Sequence, residues 1–349
     1  MIATGAVAQD RAPAPSSVTL FGVVDACIVS HKSATGASVQ VNGGGCFYGS
    51  RIGFRGTEDL GEGMQAHFHL EGGFSADSGQ LGQGGRIFGR KSIVGISGSW
   101  GGLDAGREYA PTFFILSATD PMQLGIGSAT ATVWSGSPGT AVGRTDNSIS
   151  YISPNLGGVT ARVQIAPGEQ AAPAASRGGD SRGLNLLYRD KQMVVGLAHA
   201  SVRNAAANAT DKATTVSAKY DFGSFSLAGI VQSGAWAGTR TAAASSPTAM
   251  FSRDYRSYVL GGSINAGVGS VSMSYKKYDD RTASNFDATI LSAVYIHPLS
   301  KRTRLYGGVT RLKNARGSRY GAADGNGTYA GTAPGGSSRS VDLGITHFF

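Results

Sequence analysis

The chain ends on S-V-D-L-G-I-T-H-F-F, Ser340 to Phe349, and this segment constrains the fold more than any other. Val341, Leu343, Ile345, His347 and Phe349 fall on one face; Ser340, Asp342, Gly344, Thr346 and Phe348 fall on the other. Such a period-two pattern is a β-strand with one apolar and one mostly small or polar side. It runs to the last residue, where an unpaired edge would expose open N–H and C=O groups to other chains. Pairing this strand with an early one, so that the sheet closes into a barrel, removes the edge.

The same alternation recurs along the chain. A first strand is expected from Val18 to about Val29, with Val18, Leu20, Gly22, Val24, Ala26 and Ile28 on one side. Strands follow at Ser50–Glu58, Met64–Leu70, Gly89–Gly98 and Leu103–Glu108. In the third of these segments Met64, Ala66, Phe68 and Leu70 interleave with Gln65, His67, His69 and Glu71, an order that a 3.6-residue period would scatter around a helix axis. Beyond residue 145 the pattern becomes regular: Asn147–Ser153 with Val159–Ala166, Arg182–Arg189 with Lys191–Val202, Thr214–Asp221 with Phe225–Ser233, Arg256–Asn265 with Ser270–Tyr278, and Phe286–Ile296 with Arg302–Lys313. These five hairpins close on short turns, whereas the connections between them are long and rich in Gly, Ser, Ala and Arg. With the terminal strand the count reaches 16, which puts both termini on the short-turn rim.

Short turns on one rim and long loops on the other are the plan of a transmembrane barrel. Composition agrees. Apolar residues make up 41% of the 349, and no run approaches the ~18 that a spanning helix needs. A barrel with a wet lumen has the composition of a soluble protein all the same. A soluble β-sandwich is the competing fold, but it would have to bury a second face carrying Lys, Arg, Asp, His and Gln. The expected fold class is therefore all-β, a 16-stranded antiparallel transmembrane β-barrel. Tyr188, Tyr220 and Phe349 are candidates for its aromatic girdles, and 53 Gly suit a strongly twisted sheet.

Residues 109–145 resist strand assignment, with Pro111, Pro121, Pro138 and repeated Gly. A loop beyond ~15 residues is uncommon without a function. A lumen offers this one somewhere to fold, and there it would set the bore.

The net charge of +9, from 31 Lys plus Arg against 22 Asp plus Glu, is scattered over strands and loops without a recognition helix, so no nucleic-acid partner is expected. The cations of interest are inward by parity. Arg51 alternates with Ile52 and Phe54, Arg90 starts the fourth strand, and Arg144 shares the parity of Ser148 and Ser150. Guanidinium groups opposite the folded-in loop would lower the entry cost of anions and stay charged at any physiological pH. Glu108 and Asp120 are the candidates for a facing negative side. Arg55 and Lys219 are inward too but nearer the short-turn rim. A rim role for the arginines, binding lipopolysaccharide phosphate, is the alternative.

No catalytic constellation, cofactor motif or metal set is evident; His67 and His69 share the inward face without a third ligand. A substrate-preferring channel for phosphate, carboxylates or short peptides is the alternative within the class, and a barrel enzyme or adhesin the alternative outside it. Cys27 and Cys46 flank a Gly- and Ser-rich loop; a disulfide suits an oxidising compartment, but unbroken alternation would give them opposite parity. Residues 1–15 read as a leader remnant or a disordered N-terminal extension, and 16–349 as one barrel domain.

Several segments together resemble the general diffusion porins of Gram-negative bacteria, the trimeric 16-stranded type of Bordetella, Burkholderia and Comamonas relatives. They are S-S-V-T-L-F-G-V-V-D at Ser16–Asp25, S-R-I-G-F-R-G-T-E-D-L-G at Ser50–Gly61, F-H-L-E-G-G-F at Phe68–Phe74 and G-R-I-F-G-R at Gly85–Arg90. G-R-E-Y-A-P at Gly106–Pro111, N-S-I-S-Y-I-S-P-N-L-G-G at Asn147–Gly158, L-S-K-R-T at Leu299–Thr303 and the terminal G-I-T-H-F-F complete the set. The resemblance implies a homotrimer in the cell outer membrane, surrounded by lipid and lipopolysaccharide, passing small anionic or polar solutes through a lumen constricted by the third loop. It implies that Arg51, Arg90 and Arg144 line that constriction in an anion-selective branch, and that Phe349 is the signal read by the barrel assembly machinery. The small residues Gly22, Ala26 and Gly95, read as outward, are compatible with close subunit packing. The two cysteines depart from the family pattern, and Asp120 is the only acidic residue between Ala110 and Thr145, a sparse negative side that favours anions and weakens a transverse field.

Overall fold

The computed structural model describes residues 17–127, 143–168, 178–203, 209–235, 254–283, 285–315, 317–321 and 332–349. Residues 1–16, which carry the expected N-terminal extension, and 128–142 of the long loop lie outside the described residues.

The strands are β1 (Ser17–Ser33), β2 (Gly36–Asn42), β3 (Arg51–Gly61), β4 (Met64–Gly73), β5 (Lys91–Gly98), β6 (Gly101–Tyr109), β7 (Arg144–Ile152), β8 (Val159–Ala166) and β9 (Ser181–Arg189). They continue as β10 (Met193–Arg203), β11 (Thr210–Asp221), β12 (Phe225–Ala235), β13 (Asp254–Ala266), β14 (Gly269–Asp280), β15 (Ala288–Pro298), β16 (Thr303–Asn314) and β17 (Ser337–Phe348). From β3 onward each pairs antiparallel with the next, and β17 returns to β1 with Val23 opposite Phe348 and Ser33 opposite Ser338.

The other edge of β1 is shared. Its first half pairs with β3 (Ser17 opposite Thr57) and its second half with β2 (Cys27 opposite Asn42). Seventeen segments therefore occupy the circumference of a closed 16-stranded barrel. The sixteen strands expected from alternation are all present. Boundaries shift by a few residues at most strands, β1 runs on to Ser33 and β7 starts at Arg144. One strand is additional: β2, where Ala37, Val39 and Val41 alternate with Ser38, Gln40 and Asn42 within a stretch whose Gly, Ser and Asn content reads as a polar loop.

Exposure is inverted relative to a soluble core. Leu260 is 67% exposed, Leu343 61% and Met273 55%, whereas Gln232, Ser257 and Thr346 are fully buried. In a closed sheet this puts the apolar face outward and the polar face inward, as hydrocarbon outside and water within require. On β17 the exposed residues are Val341, Leu343, Ile345 and His347, in the expected phase. Near the short turns Tyr151 donates to the Trp100 carbonyl at 2.8 Å, Tyr188 to Asp190 at 2.9 Å, and Phe222 stacks on Phe225 with centroids 4.5 Å apart. Amphipathic rings at this level suit the membrane interface.

The seam between first and last strands is tight. Gly22 exchanges two 3.1 Å backbone hydrogen bonds with Phe349, and a Cβ on Gly22 would lie 2.2 Å from the Phe349 ring. Gly95 corrects the parity expectation. A Cβ there would meet Asp104 Oδ1 and His67 Nε2 at 2.5 Å, so Gly95 faces inward and is no part of an outer small-residue patch. Its strand neighbours Val94 and Ile96 are the outward ones.

The inward face also carries apolar residues, and loop segments cover them. Ala198, Ile230, Val259, Ile290 and Leu312 form one buried cluster with Ile115 and Leu116. Val29, Val294, Ile296 and Tyr306 form a second with Cys46, Phe47, Met122 and Ile126. Covering them is worth about 25 cal/mol per Å² of apolar surface.

Candidate functional site: an arginine wall

Consecutive strands bring the three expected arginines together. Arg51 opens β3, Arg90 directly precedes β5 and Arg144 opens β7. Between them, on β4 and at the end of β6, stand two residues that sequence reasoning did not assign: Glu71 and Tyr109. Arg90 Nε lies 2.5 Å from Glu71 Oε1, and Arg51 Nη1 lies 3.8 Å from the same oxygen. His69 Nε2 is 3.3 Å from the other carboxylate oxygen.

Tyr109 joins the second half of the wall. Its hydroxyl accepts from Arg90 Nη2 at 3.0 Å and from Arg144 Nη2 at 2.5 Å. The Arg144 guanidinium lies 4.2 Å from the Tyr109 ring centroid, and Phe113 stacks on Tyr109 at 3.8 Å. Cation–π contact and a hydroxyl acceptor orient Arg144 without neutralising it. Among the described residues no carboxylate lies within ion-pair distance of Arg144. Arg51 and Arg90 thus share the Glu71 carboxylate while Arg144 has only the Tyr109 hydroxyl and ring, leaving three guanidinium charges against one carboxylate, a net excess of two positive charges at this level.

The two expected acids are engaged elsewhere. Glu108 is fully buried, accepts from the Tyr109 N–H at 2.8 Å and forms an ion pair with Lys91. It belongs to the arginine-bearing side of the sheet, one residue from Tyr109, and does not face it. Asp120 accepts from the N–H groups of Met122 at 3.2 Å and Leu124 at 3.0 Å. It caps the turn where Gln123 and Leu124 take positive φ, and its charge also acts on Lys276 of β14. The acid beside the arginines is Glu71. The parity that marks His67 and His69 as inward marks it too; what parity cannot supply is its partner, which depends on the register between β4 and β5.

Other cations extend the wall. Arg162 on β8 lies 4.1 Å over the Phe114 ring and 4.0 Å from Asp104, which also takes a 2.8 Å hydrogen bond from His67. Asp146 on β7 bridges Arg86 at 2.9 Å and Arg107 at 2.5 Å. The histidines expected on the inward face are thus paired with acids, and no cluster of three metal-ligating side chains occurs among the described residues.

Residues 111–127, the described first part of the long loop, contact strands β9, β10, β13, β14 and β16. The helix Pro111–Thr119 starts with Pro at its first position and scatters Thr112, Ser117 and Thr119 among its apolar residues, so no amphipathic period announces it. Asn185 Nδ2 on β9 donates to the Pro111 carbonyl at 2.7 Å, and a Cβ on Gly196 of β10 would touch Ile115 at 2.8 Å. Further on, Pro121 lies against Gly261 of β13, Lys276 of β14 donates to the Gly127 carbonyl, and Ile126 lies against Gly308 of β16.

Comparison with known proteins agrees in sequence and in shape. The Gram-negative porin family model matches residues 1–317. Outer membrane porin protein 32 of Delftia acidovorans is 36% identical over 358 aligned positions, covering 98% of this chain and 97% of its own. An outer membrane porin protein of Bordetella pertussis is 30% identical, covering 87% of this chain and 90% of its own. Among solved structures, an anion-selective porin from Comamonas acidovorans superposes with a TM-score of 0.82 at 33% identity, over 96% of this chain and all of that one. Salmonella typhi OmpF, at 16% identity and a TM-score of 0.65 over 95% of this chain and 97% of its own, shares the fold. The closed barrel, its inverted exposure and these matches place the chain in the Gram-negative porin family, as an outer-membrane channel for passive diffusion and not an enzyme.

Proposed function

We propose that the channel prefers anions, that its narrowest section is formed by residues 109–145 folded into the lumen, and that Arg51, Arg90 and Arg144 set the preference there. The observation carrying this reading is the charge imbalance of the wall, three guanidinium groups against the single carboxylate of Glu71. Fixed positive charge beside a narrow aqueous path lowers the energy of a passing anion and raises that of a cation. Glu108 and Asp120 contribute by holding Lys91 and the loop turn in place. The printed name of the Comamonas acidovorans structure, anion-selective, supports the same direction.

The solutes are small and hydrophilic, anionic ones favoured, and transport follows only concentration and voltage. The assembly is a homotrimer with one lumen per subunit, in contact with outer-membrane lipid and lipopolysaccharide, and Phe349 is the residue that the barrel assembly machinery reads. The deciding experiment is the reversal potential of the purified protein in a planar bilayer under a potassium chloride gradient. An anion-side potential is expected; a cation-side potential refutes the reading. Light scattering in detergent, corrected for bound detergent, tests the trimer.

A further inference from the structure

The first long loop also enters the lumen, and it meets the third loop there. Residues 43–50 fold back along the inner face of β1, where Asp25 is fully buried and receives them. Asp25 Oδ1 accepts from the Cys46 N–H at 2.9 Å and from the Tyr306 hydroxyl at 2.6 Å. Its Oδ2 accepts from the Tyr48 N–H at 3.2 Å and from the Thr346 hydroxyl. A disulfide joins Cys46 to Cys27, two residues along the same inward face, with Cα atoms 6.1 Å apart. The parity objection to this bond falls because Cys46 lies in a folded-back loop and not in a strand.

The two residues after Cys46 face the turn that follows the helix of the third loop. Phe47 is buried with Met122 and Ile126, and a Cβ on Gly125 would stand 2.7 Å from its ring. The Tyr48 hydroxyl donates to Gln123 Oε1 at 2.9 Å and accepts from Arg304 Nη1 at 3.1 Å. Burial pushes this hydroxyl up from the ordinary tyrosine range, with the charges of Arg304 and Arg51 pulling the other way. Tyr48 thus links Gln123 of the third loop to Arg304 of β16.

We propose that the first loop is a strut of the constriction: the Cys27–Cys46 bond and the Asp25 carboxylate hold Phe47 and Tyr48 against residues 122–126, fixing this turn of the third loop and with it the bore. This rests on the reading that residues 109–145 set the narrowest section. The physical need is specific. The helix Pro111–Thr119 is seated on the wall, but the turn after it contains Gln123 and Leu124 at positive φ, a conformation that persists only when surrounding contacts hold it. A disulfide reduces the freedom of the segment it closes, so it keeps the strut pressed on the turn. Phe47 and Tyr48 are positioning residues; they act through the third loop.

The test compares single-channel records of the wild type with Cys27→Ser/Cys46→Ser, Phe47→Ala and Tyr48→Phe, each purified as a heat-modifiable barrel and inserted in planar bilayers. The expected result is a uniform wild-type level that breaks into several conductance levels in the first two variants. Brief closures at a fixed voltage become several-fold more frequent, and the anion-to-cation ratio stays close to wild type because the arginines remain. Tyr48→Phe keeps the packing and loses only the hydroxyl contacts; more frequent closures there support the proposal even if the cysteine-free chain does not fold. Conductance histograms and closure rates superimposable on wild type in every folded variant overturn it. The reversal potential of the same wild-type channels is an independent readout. A cation-side value would refute the arginine reading, and the loop comparison would still be decided by the closures.

Discussion

Replacing Arg144 by Ser removes a full charge that no carboxylate offsets among the described residues. The side chain is held by the Tyr109 hydroxyl at 2.5 Å and by the face of its ring at 4.2 Å, so its position relative to a passing ion is well defined. Taking about 5 Å between guanidinium and ion, through water, the Coulomb energy is ~0.8 kcal/mol. Screening over a Debye length of ~10 Å at 0.1 M reduces it to ~0.5 kcal/mol. An anion loses that stabilisation and a cation is relieved of the same penalty, so the difference is ~1 kcal/mol, roughly fivefold in the anion-to-cation permeability ratio. At 1 M the Debye length of ~3 Å leaves less than about 0.2 kcal/mol per ion, and the effect of the substitution shrinks to below twofold. Reversal potentials of wild type and Arg144→Ser under the same concentration ratio, at low and at high mean salt, measure both numbers. The double variant Arg90→Ser/Arg144→Ser is expected to move the potential further toward neutrality with the barrel intact. An unchanged ratio at low salt, or a change as large at high salt as at low, would refute the placement of Arg144 beside the ion path.

Three further outcomes are expected. Glu71→Gln leaves Arg51 and Arg90 without their shared carboxylate, so the anion-to-cation ratio should rise. The loss of a charge-assisted bond, about 1.5–3 kcal/mol, should lower the unfolding temperature followed by gel mobility; a fall in the ratio would contradict the charge count. Tyr109→Phe keeps every charge but removes the acceptor shared by two guanidinium groups, so single-channel conductance should change while the reversal potential moves far less than in Arg144→Ser. Gly22→Val drives a side chain into the Phe349 ring and the Arg51 carbonyl, 2.2 Å and 2.7 Å from its Cβ, at the seam of the closed sheet. The yield of heat-modifiable barrel should collapse, and a wild-type yield would show that the seam tolerates bulk.

The strands were legible because alternation is a property of the local chain, and each polar-in, apolar-out segment carries its own evidence. β8, Val159–Ala166, needed no neighbour to be recognised. β2 carries the same signal in Ala37, Val39 and Val41, but over only seven residues set among Gly, Ser and Asn, and its pairing with the second half of β1 is what makes it a strand. The helix Pro111–Thr119 was silent: its Thr and Ser are interspersed among apolar residues without a period, so it shows no face until a wall covers one.

The arginines emerged from parity, because inward or outward is a one-residue question. Their partners did not. Whether Arg90 meets Glu71 or another acid depends on how β4 is registered against its neighbour, and Asp120 found main-chain donors that exist only once the turn at Gln123 and Leu124 has formed. Cys27 and Cys46 looked mismatched as strand residues and became partners when the first loop doubled back on the wall.

By itself the sequence determined a ring of antiparallel strands with a greasy exterior, a wet interior and cations turned inward, since these follow from side-chain order over two or three residues. Only the tertiary structure decided which charges neutralise one another, which loops occupy the apolar seats inside the ring, and that Phe47 and Tyr48 of the first loop touch the third. Those contacts join residues up to hundreds of positions apart, as Tyr306 and Asp25 do, and such distances are set by closure of the sheet, not by any local pattern.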